Sequence, residues 1–186
     1  MDVVPHLRGR FGRPYTFVDR CASTQRLLDG AHEGAVVATD EQTEGRGRLG
    51  RTWQAPAGSA VLFSIVLEPG VSSERLPELS LVAGAAVAEA IEAETGLPTA
   101  VKHPNDVLIR GRKVAGILAE SAEGRVVLGI GINVTQPRHE LPADTNPSAT
   151  SLALEGARVD RVELLASVLE RLERHYDRWV VSTAGR

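Results

Sequence analysis

The chain has 186 residues, of which 42% are hydrophobic and 24% charged, and its formal net charge is −3. A chain of this size buries about 70% of its unfolded surface, so we expect one compact domain over residues 1–186. The balance of 21 basic against 24 acidic residues excludes a global field that attracts nucleic acid or an anionic membrane, and any anion site must be local.

Two further features narrow the class of protein. The single cysteine, Cys21, excludes an internal disulfide and a cysteine-rich zinc site, and we expect it to be a packed thiol. The N-terminal residues lack the basic start and apolar core of a signal peptide, and no apolar run reaches the ~18 residues that predict a membrane helix. We therefore predict a soluble, cytoplasmic protein with no membrane partner.

Short apolar, β-branched stretches predict strands, and apolar residues that recur at helical spacing predict helices. In chain order we expect strands at residues 15–18, 35–39, 60–67, 100–103, 107–110, 113–121 and 126–134. Helices are expected after Ser23 or Thr24 as N-cap, from Leu76 to a stop at Gly96, and after Asp160, which has Glu163 at capping-box spacing. Residues 135–150 predict a surface loop.

The order of these elements predicts the fold class. Strands and helices alternate early, and strands cluster later, which favours an α+β fold with a mixed, mainly antiparallel sheet. The alanine-rich face of the helix after Leu76 indicates close packing, and we expect the helices on one side of the sheet.

Residues 45–51 alternate glycine with arginine, which is typical of an anion cradle. Glycine lets backbone approach a ligand closely, and arginine donates to carboxylate or phosphate oxygens. The stretch also matches the spacing of a dinucleotide-binding fingerprint, but that motif needs a helix to begin at its third glycine. Gly50 is followed instead by a proline-containing loop without helical periodicity. A solvated Arg/Gly-rich turn is the alternative to the cradle.

Three later blocks place polar residues among predicted strands. Residues 102–106 put Lys102 at a strand end before a turn that contains Asn105 and Asp106. In the strand at residues 113–121, alternation places Lys113 on one face together with Ala115, Ile117 and Ala119, and Gly116 marks a bulge or a close approach. Residues 129–133 are a glycine-rich apolar strand that ends in Asn133. Each block alone is also compatible with a purely structural role.

Taken together and in this order, the four blocks resemble the catalytic domain of biotin protein ligases. The matching stretches are residues 41–51, 102–107, 113–120 and 129–134, together with Ser23-Thr24-Gln25 near the N-terminus. The resemblance covers nearly the whole chain and implies a class II synthetase-like fold. The chain departs from the family pattern at His103, where the family has tryptophan, and at Gln25, where it has asparagine.

The resemblance implies that biotin and ATP form biotinyl-5′-AMP, and that biotin then passes to a lysine of a carboxylase carrier domain. Arg48 and Lys113 are the catalytic candidates. The candidate biotin-binding residues are Ser23, Thr24, Gln25, Gln42, Gly45, Arg46, Gly116, Ile117 and Leu118. The candidate ATP- and adenylate-binding residues are Arg46, Arg48, Arg51, Trp53, Lys102, Asn105, Asp106 and Asn133. Asp106 is also the candidate ligand of Mg²⁺.

The family pattern also gives expectations about domains and partners. We expect no N-terminal helix-turn-helix domain, and therefore no DNA binding. We also expect no C-terminal small β-barrel domain. Because family members form dimers, we expect a homodimer. The alternatives left open are a lipoate or octanoyl transferase, a non-catalytic binder of biotin or its adenylate, and, least favoured, a nucleic-acid binder that uses the arginine-rich loop.

Overall fold

A computed structural model of the protein describes residues 1–143 and 145–184. Its centre is a seven-stranded sheet in the order β1-β2-β3-β7-β6-β5-β4. The strands are β1 (Tyr15–Cys21), β2 (Val36–Gln42), β3 (Ala60–Leu67), β4 (Ala100–Lys102), β5 (Asp106–Ile109), β6 (Arg112–Ala122) and β7 (Arg125–Asn133). The first pair, β1 with β2, is parallel, and all other neighbours are antiparallel. The predicted mixed, mainly antiparallel sheet is confirmed.

Both α-helices, α1 (Leu79–Thr95) and α2 (Arg161–Ala184), contribute to one apolar core together with residues of the sheet. Small residues let α1 lie close to the strands: a Cβ at Gly84 would be 3.1 Å from a methyl of Val101. The helix ends at Gly96, which adopts the left-handed φ of 70° that the predicted stop requires. It begins later than predicted, because the chain around Pro77 forms a 3₁₀ segment (Ser73–Glu78) first.

The segment after Ser23 differs from its prediction. It is a 3₁₀ helix over Thr24–Leu28, and no side-chain oxygen caps its first turn. Instead, the guanidinium of Arg125 donates to the carbonyl oxygens of Leu28 at 2.5 Å and Ala31 at 2.8 Å. This short helix therefore depends on a contact from β7 for its position against the sheet.

The N-terminal cap of α2 carries a testable prediction. Asp160 Oδ1 accepts hydrogen bonds from the backbone N–H groups of Val162 at 2.7 Å and Glu163 at 3.1 Å. Replacing Asp160 by alanine leaves both groups without this acceptor, and we expect the free energy of unfolding to fall by about 1 kcal/mol. Urea denaturation followed by circular dichroism measures the change. An Asp160→Asn variant keeps an acceptor and should lose less; equal losses for the two variants would contradict the cap.

Among the described residues, no helix is both long and apolar enough to cross a membrane.

Candidate active site

A cavity of about 350 Å³ lies on the sheet face opposite the two α-helices. A pair of glycines forms part of its floor, since Gly116 on β6 is paired with Gly131 on β7. The indole of Trp53 lies against both: a Cβ at Gly131 would be 2.5 Å from Trp53 Cε2, and one at Gly116 would be 2.8 Å from Cζ3. Any side chain larger than hydrogen at these positions would displace Trp53.

A break in strand register brings Lys113 into the cavity. Val107 is paired with Ala115, but the next residue, Leu108, is paired with Lys113, so Val114 has no partner on β5. The extra residue reverses the alternation of side chains at this point. The Lys113 ammonium consequently lies on the cavity face, 3.2 Å from where a Cβ of Gly116 would be.

One prediction for β6 therefore needs correction. Lys113 does not share a face with Ala115 and Ile117, because the bulge turns it to the opposite side. Ile117, a candidate biotin contact, directs its side chain into the core, where its Cδ1 is 3.9 Å from the Cβ position of Gly84. Ile117 borders the cavity, and its carbonyl accepts a hydrogen bond from Asn105 Nδ2 at 2.8 Å.

The charges that line the cavity are mostly positive. Among the described residues, the lining contains one carboxylate, that of Asp106. It contains five cationic side chains, those of Arg46, Arg48, Arg51, Lys102 and Lys113. Lys113 Nζ is 2.6 Å from Asp106 Oδ1, and it also lies 5.6 Å from the centroid of the Trp53 ring. Lys113 is thus fixed by a carboxylate on one side and an aromatic face on the other. The excess of cationic side chains in the lining would suit an anionic ligand.

One end of the cavity is polar but uncharged. Thr24 Oγ1 and Ser64 Oγ are 2.7 Å apart, and Gln42 Oε1 accepts from the Thr24 backbone N–H at 2.9 Å. Gln25 lies over Gly129 and donates to the carbonyls of Leu118 and Val127 at 3.4 and 3.3 Å. This arrangement offers hydroxyl and amide groups to a compact polar ligand group.

The glycine- and arginine-rich loop forms a small hairpin over the cavity. Trp53 N donates to Gly45 O at 2.9 Å, and Gly47 N donates to Arg51 O at 2.7 Å. A Cβ at Gly45 would be 2.2 Å from the Trp53 carbonyl oxygen, which accounts for glycine at this position.

Two arginines connect this loop to the rest of the fold. The Arg46 guanidinium makes a two-point pair with Glu120 at 2.8 and 2.5 Å, which is an ordering contact. Arg48 Nη1 is 3.5 Å from Asn105 Oδ1, and Arg51 is exposed at the cavity rim. Arg48 and Arg51 are therefore the loop arginines best placed for a ligand.

The cavity brings most of the predicted site residues together. It is bordered by Thr24, Gln25, Gln42, Arg46, Arg48, Arg51, Trp53, Lys102, Asn105, Asp106, Lys113, Gly116, Ile117, Leu118 and Asn133. Two predicted biotin contacts do not border it. Ser23 is buried beside it, and Gly45 borders a second, more open groove that shares the loop.

Asn133 is already engaged on both sides of its amide. Its Nδ2 donates to Thr150 O at 2.9 Å, and its Oδ1 accepts from Gln136 Nε2 at 2.9 Å. Because a carboxamide carries two N–H donors and two lone pairs, these bonds orient the side chain and leave one donor and one acceptor site for a ligand.

The segment predicted as a surface loop also contributes to the cavity. Its lining residues are Pro142, Thr145, Asn146, Pro147 and Ala149. They reach the site because the backbone of residues 148–150 pairs with Lys113: Lys113 N donates to Ser148 O, and Thr150 N donates to Lys113 O, both at 2.8 Å. Their composition resembles any exposed turn, and no sequence signal identifies them.

Cys21 lies at the end of β1, outside the residues that line the cavity. Burial raises the pKa of its thiol, and the nearby Thr39 hydroxyl offsets only part of this effect. Because the thiolate is the reactive form, we expect iodoacetamide to modify Cys21 more slowly than free glutathione at the same mildly alkaline pH. Mass spectrometry of the protein follows the reaction. Alkylation as fast as that of glutathione would contradict a packed thiol.

The chain is similar in sequence and in structure to known proteins. Residues 17–136 match the model of the biotin/lipoate A/B protein ligase family, and the chain belongs to that family. It is 42% identical over 160 residues to biotin--[acetyl-CoA-carboxylase] ligase of Mycobacterium tuberculosis, covering 83% of this chain and 59% of that protein. It is 38% identical over 176 residues to bifunctional ligase/repressor BirA of Bacillus subtilis, covering 89% of this chain and 54% of BirA.

A solved structure extends the similarity to three dimensions. The biotin protein ligase from Aquifex aeolicus in complex with biotin and ATP has a TM-score of 0.81 and 35% identity, over 91% of this chain and 72% of that one. The resemblance to the catalytic domain of biotin protein ligases and the predicted fold class are thereby confirmed. The chain spans somewhat more than half the length of the two curated relatives, 54% and 59%.

Proposed function

We propose that the protein is an ATP-dependent biotin ligase that forms biotinyl-5′-AMP and transfers biotin to a lysine of a carboxylase carrier domain. The observation that carries this proposal is the position of Lys113. The β6 bulge brings a cation to the wall of a cavity that also has a neutral polar end at Thr24, Ser64 and Gln42. This layout suits a ligand with a neutral polar ring at one end and a carboxylate at the other.

In the first step, a biotin carboxylate oxygen attacks the α-phosphorus of ATP, and pyrophosphate leaves with the electron pair of the broken P–O bond. The two reactants are both anionic and repel each other, so fixed cations are needed where they meet. Lys113 and Arg48 supply these charges. Lys102 and Arg51, which are exposed at the rim, are placed for the outer phosphates.

In the second step, the neutral amine of the carrier lysine attacks the acyl carbonyl of the adenylate. An amide bond forms, the acyl–phosphate bond breaks, AMP leaves, and the amine proton passes to solvent. The chain needs no nucleophilic side chain for this transfer. Trp53 and the loop at residues 45–51 cover the adenylate and protect it from hydrolysis.

Mg²⁺ is proposed to enter with ATP. The described residues contain no group of three or more histidine, cysteine or acidic side chains that could hold a metal. Asp106 alone suits an ion that takes most of its ligands from phosphate and water. The ion would supply positive charge at the phosphates, while Asp106 orients Lys113 through their ion pair.

Carrier labelling tests this function. The protein is incubated with biotin, ATP, Mg²⁺ and a biotin carboxyl carrier domain, and the product is blotted with streptavidin. We expect label on the carrier and none on a variant in which its target lysine is replaced by arginine. Lipoate in place of biotin should leave the carrier unmodified by mass. A carrier that stays unlabelled while the protein binds biotin would favour a non-catalytic binder.

The cytoplasmic location, the homodimer and the lack of DNA binding stay predictions. Sedimentation velocity of the purified protein tests the homodimer, and a gel-shift assay tests the lack of DNA binding.

A further inference from the structure

A buried carboxylate, Glu155, does not line the cavity but is bonded to Arg112 and Thr150, which adjoin the lining residues Lys113 and Ala149. The Glu155 side chain is fully buried, with 0% exposure. It accepts hydrogen bonds from the guanidinium groups of Arg112 at 2.9 Å and Arg110 at 3.3 Å, and from Thr150 Oγ1 at 2.6 Å. Burying a charge is costly unless it is paired and hydrogen-bonded, and here both conditions are met.

The donors of Glu155 belong to two segments that meet at Lys113. Arg110 lies in the turn between β5 and β6, and Arg112, the first residue of β6, directly precedes Lys113 in the chain. Thr150 belongs to the loop whose backbone brackets the Lys113 peptide on both sides. Glu155 therefore joins the start of β6 to the segment that completes the hydrogen bonds of Lys113.

The same loop fixes Asn133 on the neighbouring strand. Thr150 O accepts from Asn133 Nδ2 at 2.9 Å, and Asn133 O accepts from the backbone N–H of Leu152 at 3.1 Å. The segment of residues 148–152 thus binds both Lys113 on β6 and Asn133 on β7, and the Glu155 carboxylate holds this segment through Thr150.

We propose that Glu155 is a positioning residue for adenylate formation, acting through Thr150 on Lys113 and Asn133. The proposal rests on the proposed function, because these two residues are its candidate catalytic and adenylate contacts. Glu155 does not touch the substrates. It sets where the Lys113 ammonium and the Asn133 amide lie when ATP and biotin are bound. The polar group at Thr24, Ser64 and Gln42 has no contact with this network and should be independent of it.

Replacing Glu155 by glutamine keeps its volume but removes the charge that holds both arginines. In biotin-dependent ATP–pyrophosphate exchange, we expect Glu155→Gln to lower kcat by about 10- to 100-fold, the cost of misplacing a reacting group by ~1 Å. KM for biotin should stay unchanged. Calorimetry should show unchanged binding of biotin alone and weaker binding of a non-hydrolysable ATP analogue.

A second pair of variants tests the same connection with less effect on folding. Thr150→Val removes the hydroxyl donor to Glu155 but leaves the backbone bonds of residue 150, and it should lower kcat in the same direction. Thr150→Ser restores the hydroxyl and should restore kcat. If Glu155→Gln fails to fold, this pair decides the question.

Glu173→Gln is a matched control. Glu173 accepts from Arg10 Nη1 and from the Phe11 backbone N–H, both at 3.0 Å, and so joins two distant segments away from the cavity. We expect it to lower Tm without changing kcat. The proposal is overturned if Glu155→Gln and Thr150→Val lower only Tm, while kcat and analogue binding equal those of the wild type. Absence of exchange in the wild-type protein would instead count against the proposed function. In that case the calorimetric comparison of biotin binding with ATP-analogue binding still tests the role of Glu155.

Discussion

Replacing Lys113 by alanine is expected to lower kcat for biotin-dependent ATP–pyrophosphate exchange by about 10²- to 10³-fold, the loss typical of one fixed charge-stabilising donor in an active site. The substitution has two unfavourable effects on the reaction. The cation between the carboxylate and the α-phosphate is lost, and Asp106 loses the ammonium 2.6 Å from its carboxylate. An unpaired carboxylate then faces the phosphates and repels them. Binding of biotin alone should change much less, because Thr24, Ser64 and Gln42 remain in place.

Lys113→Met separates charge from packing. Methionine keeps an unbranched apolar stem that can lie beside Trp53 and Gly116, but it carries no charge. We expect it to be as inactive as the alanine variant, with a Tm closer to that of the wild type. Exchange at the wild-type rate by either variant would remove Lys113 from the catalytic machinery.

The second large effect is expected at Gly131. Its Cβ would be 2.5 Å from Trp53 Cε2 and 2.8 Å from Trp53 Nε1, so Gly131→Val forces the indole off the sheet and places two methyl groups in the cavity. We expect overpacking to cost about 1–3 kcal/mol in the free energy of unfolding. Biotin binding, measured by calorimetry, should weaken by at least ~10-fold, since a pocket discriminates even single methylene groups by that factor or more.

A double variant separates the clash with the indole from the filling of the cavity by the valine methyl groups. In Gly131→Val/Trp53→Ala the clash with the indole is relieved, and part of the lost stability should return. Biotin binding should stay weak, because the added methyl groups still occupy the cavity. Wild-type affinity in Gly131→Val would mean that the ligand does not use this part of the floor.

Several elements of the fold follow from local sequence patterns. The apolar runs of β2, β3 and β7 and the stop of α1 at Gly96 follow from hydrophobic periodicity and from the conformational freedom of glycine, and both are local properties. The four sequence blocks around the site are also local patterns. The loop needs glycine where its backbone approaches another group closely, and strands β6 and β7 need glycine where the indole of Trp53 lies against them.

Other features of the site depend on contacts between distant segments, which a local pattern does not encode. The bulge at Val114 lies in the pairing of β6 with β5, and residues 148–150 bind the backbone of Lys113 on the side where the ladder with β7 has ended. Strict alternation therefore placed Lys113 on the wrong face. Gln25 illustrates the same limit: its amide reaches across to β6 and β7, and only the fold shows that Gly129 leaves space for it.

If this cavity activates biotin as an acyl-adenylate, the adenylate should remain on the protein when no carrier is present. The most direct test incubates the wild-type protein with biotin, ATP and Mg²⁺ without any carrier, and analyses the protein-bound small molecules by mass spectrometry after rapid gel filtration. We expect biotinyl-5′-AMP on the wild-type protein, none when either substrate is omitted, and little or none on Lys113→Ala. Recovery of unmodified biotin and ATP from a wild-type protein that binds both would contradict this expectation.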